Sequence, residues 1–512
     1  MKVLILSTSD IHGYIFPHKF KNHKKNQEKN VGYLKAASII KQIRKKYSQD
    51  IVLYIENGDM IEGSSMASYA YYKRNLNSFK YDFTKMVNYT KPDAVILGNH
   101  EFNYGQRYLS EALFKRNFPV LDANISGKNK KKFIDKPYRI LTKKGIKIAI
   151  LGLTTQYIPH WELPNKIKGL KFSDAFQTAE KFINQLKNKV NVIIIAYHGG
   201  FQKSLKNSIP FGDLEENEGS KLISLPKINA LVTGHTHFKI SAIINGIPIT
   251  QPGYQGEDVG LITLNLNKYK KVTEKKSQLI PSSTAKEEPN LKRMMTPWKQ
   301  KTDQWLARPL CSIKGNMKIK NSLKASLYGC PYLELINQIQ MKTARTDISL
   351  TSFSFNTFGF KDKVSIKDVI KNYPFPNSLV VELISGKDLK KALERCANFF
   401  VMNKDKKVTI NKNFPFFYYD FYSGINYTFN LKKPIGKRVE KILYHHKEVK
   451  ENQQLKIALN QYRGVGGGGY SVFSAKKIIH TFDKNVQELI IDFLRTSKKI
   501  KAIEPKNLKI IK

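Results

Sequence analysis

Eight polar residues close apolar runs along the chain: Asp10 and His12 in "DIHG", Asp59 in "NGD", Asn99 and His100 in "GNHEF", His198 in "YHGG", and His235 and His237 in "GHTH". Carboxylate and imidazole donors suit borderline divalent ions such as Zn, Mn or Fe, and the absence of cysteine among them disfavours a structural zinc. Two such ions about 3.5–4 Å apart need one bridging carboxylate, clamp the attacking and leaving oxygens of a phosphoester, and make hydroxide available near neutral pH. Phosphoester hydrolysis is the chemistry expected. One fragment of this kind is common by chance; five in order, each closing an apolar run, are not.

The elements that must position these residues are strand-like runs at 3–10, 51–59, 93–100, 118–124, 146–153, 191–200 and 228–237. Helix-length stretches at 33–47, 78–90 and 173–189 separate several of them. The alternation predicts a layered α/β domain, interrupted by hairpins, with its site at the strand ends. A first domain is expected over 1–270. Residues 271–307 are polar and lack strand signals, and read as a linker that is helical in its second half. A second domain is expected over 308–512, with apolar segments of its own such as "SLVVELISGKDLKKALERC".

The net charge is +46, from 87 Lys and Arg against 41 Asp and Glu. The lysines are spread along the chain ("KNHKKNQEKN", "SGKNKKKF", "VMNKDKKV"), with no basic helix and no nucleic-acid module, so a solvated surface is expected and no obligate nucleic-acid partner. Cys311, Cys330 and Cys396 are too few and too scattered for a disulfide framework. No run of eighteen apolar residues and no secretion signal is legible, so no membrane association and a cytoplasmic location are expected.

The five blocks resemble, in order, those of calcineurin-like metallophosphoesterases, and the two-domain layout is similar to the 5′-nucleotidase family within them. The resemblance implies a four-layer αββα domain, a helical linker and a second α/β (α+β) domain that binds substrate. It implies two divalent metals (Zn, Mn, Fe or Mg), one held by Asp10, His12 and His237, the other by Asn99, His198 and His235, with Asp59 bridging. His100 would stand by the phosphate, stabilise the transition state and protonate the leaving oxygen. The residue types agree. Asp59 is the one acidic residue of its block, and the amide of Asn99 adds no negative charge beside a phosphate.

In 5′-nucleotidases of the family the position of Asn103 is usually Asp, the partner of the catalytic histidine. "GNHEFNYG" resembles instead the 2′,3′-cyclic-nucleotide 2′-phosphodiesterases with 3′-nucleotidase activity, as do "GLTTQYIPHWE" (152–162) and "YRGVGGGGY" (462–470). Asn103 therefore joins His100 in the catalytic group as a branch marker. An amide cannot hold His100 as an imidazolium, so a lower proton affinity is expected of that ring. The second domain is implied to sandwich the base between two rings, Phe417 of "FPFFYYD" and Tyr462; stacking accepts every base. "TDISLTSFSFNTFGF" lacks the arginine of the asparagine-glycine-arginine motif in 5′-nucleotidases, and Arg463 stands as its substitute in gripping substrate. The expected function is hydrolysis of 2′,3′-cyclic nucleotides and 3′-nucleotides. The alternatives are a 5′-nucleotidase or broad nucleotide and nucleotide-sugar phosphatase on the same fold, and a non-catalytic RNA-binding protein.

Overall fold

The strand Lys2–Thr8 is buried on both faces from Val3 onward, which is why its sequence is a continuous apolar run and does not alternate. It pairs in parallel with Ile51–Glu56 and antiparallel with Asp258–Leu266. Ala94–Val95 and Val272–Pro281 form the two edges of this five-stranded sheet. A six-stranded sheet runs in the order Lys239–Ile244, Ile247–Pro252, Ala230–Val232, Val192–His198, Ile146–Thr154, Tyr138–Lys143. This computed structural model describes residues 1–22, 27–74, 82–202, 215–354, 357–403, 407–411 and 414–512. It divides into two units, Met1–Pro159 with Pro164–Thr302, and His160–Leu163 with Asp303–Lys512.

Alternate side chains of each strand face different neighbours, and this builds the layers of the first unit. Val3 and Ile5 meet Ile148, Ile150, Ile194 and Val232 in a core between the two sheets. Leu4 and Leu6 pack instead on Ile39 and Ile40 of the helix Tyr33–Lys46. On the far side, Leu151, Ile193 and Ile195 pack on Ala179 and Ile183 of the helix Ala175–Leu186. The order helix, sheet, sheet, helix is the expected four-layer domain, and each large aliphatic side chain buried in it contributes about 1.5–3 kcal/mol. The second of these helices begins at Asp174, whose side chain accepts the Gln177 N–H at 2.7 Å. Asp174→Ala is expected to lose about 1 kcal/mol, read as a lower denaturant midpoint at constant slope.

Residues 271–307 correct the sequence reading. Val272–Pro281 is a strand, in register with Asp258–Leu266 from Asp258↔Pro281 to Leu266↔Val272, so the first unit continues past residue 270. It lies at a sheet edge with much of its surface exposed, and polar residues there discourage further pairing. The helix expected in the second half is Pro289–Leu306, and the boundary between the units falls within it. Run 93–100 yields only the short strand Ala94–Val95, and 118–124 only the isolated bridges Val95↔Val120 and Leu121↔Lys136. Of the stretch 78–90, Asp82–Thr90 is helical and 78–81 lie outside the described residues.

The second unit is built on a mixed sheet in the order Asp420–Ser423, Ile348–Ser352, Gln454–Asn460, Ser378–Ser385, Ile478–Asn485. Three of its helices, Ile366–Asn372, Gly386–Ala397 and Val486–Ser497, start in capping boxes, Ser365 with Asp368, Ser385 with Asp388 and Asn485 with Glu488. Among the described residues no helix is long and apolar enough to cross a membrane.

Candidate metal centre

Parallel strands finish at the same edge of their sheet, so residues just beyond them are brought together whatever their separation in sequence. Asp10 follows Lys2–Thr8, Asp59 follows Ile51–Glu56, Asn99 and His100 follow Ala94–Val95, His198 ends Val192–His198, and His235 follows Ala230–Val232. The structure collects them into three overlapping groups, Asp10 with His12 and His237, His12 with Asp59 and His100, and Asp59 with His198 and His235. Asn99 joins them through Oδ1, 2.8 Å from His235 Nδ1 and 3.3 Å from His198 Nε2. Five of these residues have left-handed backbones: Asp10 (φ 55°), His12 (50°), Asp59 (58°), His235 (71°) and His237 (57°). Such conformations are uncommon without glycine and persist where the surroundings enforce them, typically at functional sites.

Three imidazoles are anchored on one nitrogen and turn the other inward. His12 Nδ1 donates to the Glu62 carbonyl at 3.0 Å, His198 Nδ1 to the Asn57 carbonyl at 2.6 Å, and His235 Nε2 to Glu216 Oε1 at 2.8 Å. Anchors of this kind select the tautomer and orient a ligand. The inward atoms then face acceptors. His12 Nε2 lies 3.1 Å from His237 Nε2, and His198 Nε2 lies 3.1 Å from Asp59 Oδ2, which is buried without a hydrogen-bond donor among the described residues. With Nδ1 as the anchored donor, each inward Nε2 carries a lone pair in the neutral ring, and either a proton or a metal cation can satisfy it. Burial lowers the proton affinity of these rings, yet the carboxylates outweigh it: Glu62 and Asp59 push His12 up to about 9, and Asp59 pushes His198 up to about 10. Divalent cations would replace such protons, so the donor set fits metal ions.

The support of Asp59 is a feature that the sequence reading missed. Glu101, buried, accepts the backbone N–H groups of Asp59 (2.8 Å), Met60 (2.6 Å) and Gly98 (2.7 Å), and so holds the turn on which Asp59 sits. A Cβ at Gly98 would overlap Asp59 Oδ1, so only glycine lets the two loops approach. Glu101 stands inside the quoted "GNHEF" and Glu62 three residues after Asp59, positions where an acidic residue could have been singled out; Glu216, in "LEENEG", carried no such signal.

His100 donates its backbone N–H to Asp59 Oδ1 at 2.8 Å and its Nδ1–H to Asn103 Oδ1 at 2.6 Å. Its side chain retains 29% exposure. Burial lowers the proton affinity of this ring, and the Asp59 and Glu62 carboxylates, more than the Asn103 amide, raise it above the usual imidazole value.

In the second unit Phe417 and Tyr462 are half-buried, and both touch Arg463: the Tyr462 ring centre lies 5.8 Å from its guanidinium and the Phe417 carbonyl accepts from it. Arg463 was expected to face substrate, and the structure places it otherwise. It is 1% exposed, paired with Asp420 (Nε to Oδ2 2.8 Å, Nη2 to Oδ1 2.9 Å), and donates to the carbonyls of Gly467 (2.5 Å) and Phe417 (2.8 Å). Buried in these contacts, it joins the glycine-rich turn to the Phe416–Tyr418 turn.

Residues 3–239 match the calcineurin-like phosphoesterase family, and residues 315–475 match the 5′-nucleotidase C-terminal domain. A 2′,3′-cyclic-nucleotide 2′-phosphodiesterase/3′-nucleotidase of Haemophilus influenzae is 24% identical over 98% of this chain and 86% of its own. A 5′-nucleotidase of Vibrio cholerae is 25% identical over 76% of this chain and 74% of its own. Among solved structures, a Staphylococcus aureus chain bearing the name 5′-nucleotidase, crystallised with α-ketoglutarate, superposes with a TM-score of 0.87 and 31% identity over the whole of both chains.

Proposed function

The chain belongs to the 5′-nucleotidase family of calcineurin-like phosphoesterases, and from that premise we propose that it opens 2′,3′-cyclic nucleotides at the 2′ oxygen and then releases phosphate from the 3′-nucleotide. The observation that carries this choice within the family is Asn103, an amide on His100 Nδ1, in the block "GNHEFNYG". The Haemophilus influenzae relative of that name supports it over nearly the whole chain. The second reading, a 5′-nucleotidase, is favoured by the higher identity to the Staphylococcus aureus chain.

In this reading Asp10, His12 and His237 would hold one divalent ion and Asn99, His198 and His235 a second, with Asp59 shared between them. Which of Zn, Mn, Fe or Mg binds depends on availability as much as on ligands. Bound ions would neutralise phosphate charge and lower the pKa of the attacking water. The rest belongs to the protein. The anchored imidazoles hold their donor atoms in place before substrate arrives. Asn99 contributes an oxygen with no charge to repel the phosphate. As water oxygen bonds to phosphorus and the bond from phosphorus to O2′ breaks, His100 Nε2 delivers a proton to the departing oxygen, the water gives up a proton to solvent, and His100 takes one back from solvent before the second step. In the second step the departing oxygen is O3′. Phe417 and Tyr462 stack on the base, while Arg463 keeps their two turns in register.

The deciding measurement is phosphate and nucleoside release from 2′,3′-cyclic AMP, 3′-AMP and 5′-AMP offered in parallel, with Mn²⁺ and then EDTA. Turnover of the first two, abolished by EDTA and slowed about 10²–10⁴-fold by His100→Ala, is expected. Turnover confined to 5′-AMP selects the second reading, and none on any of the three overturns both.

A further inference from the structure

The loop after Asp59 brings a third carboxylate to the centre, one that the mechanism above leaves without a task. Glu62 is 2% exposed, and its Oε2 lies 3.2 Å from His100 Nδ1 and 3.7 Å from His12 Nδ1. His12 Nδ1 also donates to the Glu62 backbone carbonyl at 3.0 Å, so the carboxylate lies between the two rings and closer to His100. His100 Nδ1 thus faces two acceptors, Asn103 Oδ1 at 2.6 Å and Glu62 Oε2 at 3.2 Å. A nitrogen between two acceptor oxygens carries the proton, which leaves Nε2 as the ring atom that meets substrate. The amide of Asn103 orients the ring and carries no charge; Glu62 adds charge from the opposite loop.

We propose that Glu62 is a positioning residue that supplies the anionic partner of His100, the place an aspartate at position 103 would otherwise fill. It acts through His100 and touches no substrate. The proposal rests on the reading that gives His100 the proton transfer. A role confined to packing, or to the backbone contact with His12, would be served equally by the isosteric amide, and this separates the two.

The test uses, with Mn²⁺, whichever nucleotide of the panel above the parent hydrolyses, because a departing ribose oxygen needs a proton; bis(p-nitrophenyl) phosphate, whose departing phenolate does not, is run beside it, so that damage to the metal centre is distinct from failure here. Glu62→Gln is expected to lower kcat by on the order of 10- to 100-fold, with KM within about threefold. Glu62→Gln combined with Asn103→Asp, which returns a carboxylate to the same nitrogen, is expected to recover most of that loss. Glu62→Asp, which keeps the charge one carbon short, is expected to retain more kcat than Glu62→Gln. Manganese content and melting temperature are read for each. Four results would overturn the proposal: an unchanged kcat in Glu62→Gln, a KM rise with kcat unchanged, no recovery in the double variant, or Glu62→Asp as slow as Glu62→Gln.

Discussion

Asp59→Asn is expected to lower kcat by about 10³-fold, or about 4 kcal/mol in the barrier, and to reduce the divalent metal retained per chain. Asp59 belongs to two of the three donor groups, so its loss is felt by both. Its Oδ1 accepts the His100 N–H at 2.8 Å, and an amide oxygen can still do that. Oδ2 is different: it is buried, without a hydrogen-bond donor among the described residues, and 3.1 Å from His198 Nε2. An NH₂ in that place would donate to the inward imidazole nitrogen and close the site with an internal hydrogen bond. The variant should therefore fold normally while losing the Asp59 oxygen whose lone pairs face the centre. Turnover together with metal content by mass spectrometry checks this; a rate within tenfold of the parent at full metal content would remove Asp59 from the bridging role.

Arg463→Met should destabilise the second unit by about 3–5 kcal/mol, because one half of a buried ion pair is removed and the other stays. Asp420, 1% exposed, would lose both guanidinium contacts, and the Gly467 and Phe417 carbonyls would lose their donors. At roughly 2–4 °C per kcal/mol for a unit of this size, the melting transition falls by about 10 °C. The pH dependence has a defined sign. Burial already raises the Asp420 carboxyl against the opposing pull of Arg463, and without the arginine it rises further. A carboxyl whose folded pKa lies above its unfolded value favours folding below the unfolded value and loses that stability as pH climbs through the folded one. The deficit of Arg463→Met should thus be smaller at pH 5 than at pH 8, and Asp420→Asn in the same chain should recover part of it. A variant that melts like the parent while its KM for nucleotide rises would show Arg463 to be a substrate contact.

The part of this protein that was legible in its sequence is the part that topology carries. A polar residue closing an apolar run lies at a strand end, and parallel strands deliver their ends to one edge; so Asp10, Asp59, Asn99, His198 and His235 could be assembled without coordinates. Burial on both faces likewise leaves its trace as continuous runs such as "VLIL" and "VIIIA", and the layers follow from them. What the three-dimensional structure alone decided are contacts between side chains whose meeting has no period. Glu62 on His100, Glu101 beneath Asp59 and Glu216 on His235 depend on loop paths and rotamers, and hydrophobic periodicity does not encode either. The strand Val272–Pro281 was read as a linker because a solvent-facing edge carries a linker's composition, and only its pairing with Asp258–Leu266 distinguishes it. Arg463 was read as a substrate contact because the chain lacks the arginine of the asparagine-glycine-arginine motif; Asp420 reaches it from 43 residues away, and a pairing over that distance is written in the fold and not in any local pattern.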